Sequence, residues 1–265
     1  MLFPNTNQRI GFAFSGGGVR GVAHIGVIKA LAERGWRADF IAGTSAGSLI
    51  GAGLAAGMDW QALAEMASAV SWPKLMHGKT LEKFCAQQLP ATFAELRLPL
   101  TVVVTEFPMK RAIALRDGHL ASALNASCAL PVIRRPVWRA GLKLKDGGYT
   151  CVLPSQACRS LGADIVFGSD VWELSALMRG LSLDARHPLF PAHYREAVRQ
   201  TDYLIQPRIA ARDYWPGRAA LYRLIAAGEA AVEQASIPLF TPLAPSALRS
   251  PDRLQDETPS RRACL

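Results

Sequence analysis

The chain has no apolar run approaching the ~20 residues that a membrane-spanning helix needs. Its first residues, MLFPNTNQRI, lack the basic, apolar and cleavage regions of a secretory leader. These absences lead to the expectation of a soluble, cytoplasmic protein. Metal-type cysteine spacing is also missing: Cys85, Cys128, Cys151, Cys158 and Cys264 form an odd set, read as free thiols in a reducing compartment. Cys264 stands one step from the end, the wrong place for prenylation. No basic stripe interleaves with aromatics, so no nucleic-acid partner is expected. No Lys-Ser or Lys-Thr follows the glycine-rich stretch, which argues against a phosphate P-loop. No repeat and no linker divides the 265 residues, so a single domain is expected, ending near residue 235. Beyond it, residues 236–265 form a proline- and charge-rich tail that is expected to be mobile.

What is present favours a packed core and anionic partners. Half of the residues are hydrophobic, enough for a buried interior. The formal net charge of +9 suits phospholipid headgroups or an acidic protein, and peripheral contact with an anionic membrane fits it. Residues 10–14 are apolar throughout, as in a strand buried on both faces. Val22, Ile25, Val27, Ile28 and Leu31 recur at helical spacing up to the helix stop at Gly35. Phe40 to Ala42 reads as a second strand, followed by GTSAG and a small-residue helix to Gly57. Strand, helix, strand, helix is the grammar of a parallel α/β sheet. Asp59 is placed to cap a helix from Trp60 to Val70. LTVVVT at 100–105 is the clearest buried strand, with 112–115 beside it. A helix follows from His119 to Cys128. Short strands are expected at 142–144, 164–168 and 203–206, and a long amphipathic helix at 217–234.

Chemistry concentrates in two loops. Gly16-x-Gly18-x-x-Gly21 satisfies the dinucleotide fingerprint, but Asp39, the acid at suitable spacing, lies before its strand instead of after it. The same glycines could present amide N–H groups to a developing oxyanion. The next strand supplies a nucleophile for that second reading. Gly43-Thr-Ser45-Ala-Gly47 matches the elbow in which a serine sits on a sharp strand-to-helix turn. Its base is open at this level. His187 or His193 could complete a Ser–Asp–His order, whereas His24 reads as packed. The alternative is Asp146, delivered by a short strand into Asp146-Gly147-Gly148; burial would raise its pKa towards that of a useful base.

Taken together, SGGGVRG, GTSAG, ASCALP and DGG resemble, in order and in neighbours, the motifs of the patatin-like phospholipase family. The likeness covers roughly residues 8–235 by element order, and it is sharpest at 10–57 and 121–149. The resemblance implies an α/β fold, a three-layer α/β/α sandwich with a mostly parallel central sheet. It implies a Ser–Asp dyad: Ser45 as nucleophile, Asp146 as general base, and Gly16, Gly17, Gly18 and Arg20 on the oxyanion motif. It also implies acyl-ester hydrolysis of phospholipids, lysophospholipids or neutral lipids without a cofactor. The chain departs from the pattern after Pro131, where Val-Ile-Arg-Arg-Pro136 replaces the Gly and Phe-Pro-Pro of many relatives. Arg134 and Arg135 are there either to select an anionic headgroup or as a solvated pair. Residues 171–193 carry many apolar side chains with sparse helix signals, and read equally as a lid or as a packed loop.

Overall fold

The computed structural model describes residues 8–69, 80–130, 134–214 and 217–240. His77, Pro131, Cys264 and the tail from 241 onward lie outside the described residues.

Strand β1 (Ile10–Phe14) is buried along its whole length. Because side chains alternate across a strand, Phe12 and Phe14 enter one apolar cluster and Ala13 another. These clusters are the two interlayer cores. The larger one is closed by α1 (Ala23–Glu33), α2 (Ala46–Ala55), α3 (Trp60–Ser68), α4 (Thr80–Gln88), α5 (Leu120–Ser127) and α9 (Arg218–Gln234). The smaller is closed by α6 (Ser155–Leu161), α7 (Glu173–Gly180) and α8 (Ala192–Arg199). The result is the expected α/β/α sandwich.

The remaining strands are β2 (Phe40–Thr44), β3 (Leu100–Glu106), β4 (Arg111–Leu115), β5 (Val137–Arg139), β6 (Leu142–Asp146), β7 (Ile165–Ser169) and β8 (Tyr203–Ile205). The sheet order is β5-β6-β3-β2-β1-β7-β8, with β4 paired to β3. Its centre, β3-β2-β1-β7-β8, is parallel. The pairings of β4, β5 and β6 at one edge are antiparallel.

Several sequence boundaries match the structure closely. Asp59 caps α3, its carboxylate accepting the Ala62 N–H at 2.8 Å. The His119 ring accepts from the Ser122 N–H at the start of α5. Helices α1 and α9 touch backbone to backbone: a Cβ on Gly228 would stand 2.0 Å from the Ala23 carbonyl oxygen. The stretch expected to be mobile begins packed. Ile237 is buried, Trp36 Nε1 donates to the Pro238 carbonyl at 2.8 Å, and the Phe240 ring lies against Trp36. Among the described residues, no helix is long and apolar enough to cross a membrane.

Candidate active site

Strand β3 is the ruler of the site. Along one flank it pairs with β2, Gly43 opposite Val102 and Thr44 opposite Val103. Its other flank is taken by β4 over the same residues. β6 therefore shares the flank of β2, arriving from the opposite direction, with Asp146 opposite Val104. The ends of β2 and β6 abut, and successive positions on β3 bring together two residues 101 apart in sequence. Ser45 Oγ donates to Asp146 Oδ2 at 2.7 Å.

Ser45 has φ 52° and ψ −125°, a left-handed conformation that costs a non-glycine residue about 1–3 kcal/mol. Surrounding bonds hold it. The Ser45 N–H donates to Ser127 Oγ at 2.8 Å, and that hydroxyl donates on to the Val103 carbonyl at 2.7 Å. The Ser45 carbonyl accepts from the Ser48 N–H and hydroxyl. The flanking glycines let the helix come this close. A Cβ on Gly47 would lie 2.3 Å from the Phe14 carbonyl oxygen, and one on Gly43 would lie 2.5 Å from Ser48 Cα.

Asp146 is buried and fully bonded. Its Oδ1 accepts the Gly148 N–H at 2.8 Å, and its carbonyl accepts the Thr105 hydroxyl at 2.8 Å. Burial pushes its carboxyl up from 3.8 to about 6; the bonds from Ser45 and Gly148 and the Arg134 charge pull the other way. Arg134 Nη2 donates to Asn125 Oδ1 at 2.6 Å, whereas Arg135 is exposed. The Cys128 thiol also lies here; burial and the Asp146 charge raise its pKa.

The glycine loop stands beside the serine: a Cβ on Gly16 would lie 3.4 Å from Ser45 Cβ. The Gly16 N–H is already committed to the Val152 carbonyl at 2.9 Å. Gly17 caps the 3-10 turn Gly18–Val22, so the Gly17 and Gly18 N–H groups have no preceding turn to accept them. Arg20 does not point at the serine. Its Nε donates to the Gly17 carbonyl at 3.1 Å, and its guanidinium lies 3.5 Å from Glu173 and 5.1 Å from the centre of the Tyr214 ring. In a planar trans peptide the C=O and the following N–H point opposite ways. Holding the Gly17 carbonyl therefore fixes the direction of the Gly18 N–H.

The other candidates lie elsewhere. Among the described residues, no histidine hydrogen-bonds to Ser45 or Asp146. His24 is buried, its ring bonded to Ser169 Oγ and the Ser15 carbonyl, and burial lowers its pKa to about 4. His187 is half-buried in its own turn, and His193 is exposed. Asp39 Oδ2 accepts the Ile10 N–H at 2.6 Å, at the strand end opposite the glycine loop, where it cannot reach a ribose bound there. No three His, Cys, Asp or Glu side chains converge as metal ligands among the described residues.

Residues 171–193 form helix α7 followed by a run of turns leading into α8, anchored from beneath. Buried Asp170 accepts from the Tyr194 hydroxyl at 2.6 Å and from Gln206 at 3.1 Å. Met178 and Phe190 are buried, while Leu177, Leu181 and Leu189 face outward. Sequence reasoning missed the role of Ser127. Its only signal is its place in ASCALP, because its contact with the elbow depends on how α5 packs.

The chain matches the patatin-like phospholipase family over residues 12–155. It is 29% identical over 220 residues to an uncharacterized NTE family protein of Mycobacterium tuberculosis, covering 76% of this chain and 58% of that protein. It is 33% identical over 188 residues to human patatin-like phospholipase domain-containing protein 6, covering 63% of this chain and 14% of the human protein. With Lysophospholipase NTE1 of Yarrowia lipolytica the identity is 31% over 185 residues, 63% of this chain and 13% of that protein. The chain thus spans little more than half, or a much smaller part, of these relatives. VipD from Legionella pneumophila superposes with TM-score 0.54 at 14% identity, covering 88% of this chain and 67% of VipD. The type III effector ExoU superposes with TM-score 0.51 at 15% identity, covering 88% and 53%. These two likenesses speak to the fold. The family match takes in the glycine loop, the serine elbow and the aspartate turn in one span, and the chain belongs to the patatin-like phospholipase family.

Proposed function

We propose that the chain hydrolyses acyl esters of lipids with Ser45 as nucleophile and Asp146 as general base, within a single catalytic unit over residues 8–235. The observation that carries this reading is the 2.7 Å hydrogen bond between Ser45 Oγ and Asp146 Oδ2 on a strained elbow. As Oγ attacks the ester carbonyl, Asp146 takes its proton, and the Gly17 and Gly18 N–H groups hold the oxyanion. The tetrahedral intermediate collapses to an acyl-enzyme, and the departing alcohol takes the proton from Asp146. Asp146 then deprotonates water, which attacks the acyl carbon; the fatty acid leaves and Ser45 regains its proton. No step calls for a cofactor. The elevated carboxyl, at about 6, is a better proton acceptor than a solvated aspartate and is still ionised at neutral pH. The word lysophospholipase in a relative's name makes lysophospholipids the first substrates to assay, with phospholipids and short-chain esters beside them.

A fluorophosphonate probe tests the reading. It should label Ser45, as read by peptide mass spectrometry, and fail on Ser45→Ala. Hydrolysis that survives Asp146→Ala but not His187→Ala or His193→Ala would replace the dyad with a histidine-based triad.

A further inference from the structure

Besides Asp146, β6 carries Lys143 and Lys145, which face away from Leu144 and Asp146 because side chains alternate along a strand. Both ammonium groups gather at one ring. Lys145 Nζ lies 4.1 Å from the centre of Phe107, and Lys143 Nζ lies 5.2 Å from it. The Phe107 N–H is tied to the Lys143 carbonyl at 2.8 Å, which fixes that residue's backbone beside β6. Trp138 is the cross-strand partner of Lys143 and shares its face; it is 70% exposed. Met109, in the turn between β3 and β4, is equally exposed, with exposed Lys110 next to it. Among the described residues, Lys110, Lys143 and Lys145 form no ion pair with a carboxylate. Glu106, the nearest acid along β3, is taken by Arg111 at 2.7 Å. Like charges brought together without a counter-ion repel, so this face is electrostatically complementary to an anion.

We propose that this face is where the protein docks on an anionic phospholipid surface. Trp138 and Met109 enter the headgroup–acyl boundary, while Lys110, Lys143 and Lys145 meet lipid phosphates. Position supports a membrane as the occupant. The patch lies at the end of the sheet that carries the dyad: β6 and the turn at 107–110 continue past the rung of β3 at which β2 ends, one residue before Ser45. This step rests on the hydrolase reading. Beside the exposed leucines of 171–193, Arg179 is committed to the Gln206 and Pro207 carbonyls.

The experiment uses the Ser45→Ala chain, which cannot consume the lipid, sedimented with phosphatidylcholine vesicles with and without phosphatidylglycerol. Binding should require phosphatidylglycerol and weaken with salt. Lys143→Glu with Lys145→Glu should lower partitioning roughly tenfold or more, and Trp138→Ala should lower it several-fold. The same substitutions on the Ser45 background should leave turnover of a soluble short-chain ester unchanged. If the double variant does not fold, quenching of Trp138 by brominated phosphatidylglycerol, read against Trp138→Phe, replaces it. Unchanged vesicle binding in the variants, or an unquenched Trp138, overturns the proposal; variants that lose only an acidic protein would point to a protein partner instead. Failure of the hydrolase reading looks different: the soluble ester is not cleaved, whatever the vesicles do.

Discussion

Asp146 is held where ionisation is unfavourable, and that sets its behaviour with pH. Its folded pKa, about 6, lies above the ordinary 3.8. The native state therefore binds the proton more tightly, and this contribution to stability is fully present below pH 3.8 and lost as pH rises through about 6. At neutral pH the ionised carboxylate costs about 3 kcal/mol. Asp146→Asn should accordingly melt higher than the parent at pH 8, with the gap closing below pH 4, while ester turnover falls by about 10²–10⁴. In the parent, kcat/KM should rise through pH 6 and then level off, since the base must be ionised. Arg20 offers a second test at this scale. Arg20→Ala frees the Gly17 carbonyl and with it the Gly18 N–H, so kcat should drop by up to about 10²–10³ with KM little changed. An equal rise in KM with kcat intact would mean that the arginine serves binding instead.

The elbow is a property of three elements at once. β2 presents Ser45, α2 leaves it, and α5 supplies Ser127 to hold its N–H. Ser127→Ala strands the Ser45 N–H and the Val103 carbonyl in a buried site, a loss of about 1–3 kcal/mol. A lower melting temperature together with slower fluorophosphonate labelling is the expected outcome; unchanged labelling would remove Ser127 from the site. The strand–turn–helix of the elbow is legible in the sequence because its determinants are local: an apolar run, two glycines and a run of small residues. α6, α7, α8 and β5 are not legible. They are short, and their few buried positions, such as Tyr194, Ala197 and Val198 of α8, become an apolar face only when the smaller core is assembled.

Across the whole molecule, residues 237–240 close the larger core. Pro238 and Phe240 meet Trp36, whose ring also packs on Phe167 of β7 and Tyr203 of β8, and Ile237 is buried in the same core. A chain ending at residue 235 should therefore be about 2–3 kcal/mol less stable than one ending at 240, with Trp36 emission shifted to the red. Equal stability of the two would show that this packing is idle. The mobility expected from 236 onward is read from composition; the contacts that Pro238 and Phe240 make with Trp36 depend on α1 and the sheet already being in place.

The sequence by itself determined the parts that act over a few neighbours. It carried the unbroken apolar run that buries β1 on both faces, the cap at Asp59, and the glycines that permit the serine turn. Four short motifs were enough to suggest the family. Only the tertiary structure decided which candidate side chain meets Ser45. The residue pattern alone leaves Asp146, His187 and His193 open, and only the motif resemblance points to Asp146. The choice falls to Asp146 because β2 and β6 share one flank of β3 and end at adjacent rungs. Such a register arises from hydrogen bonds between strands far apart in sequence and appears only when the sheet has formed.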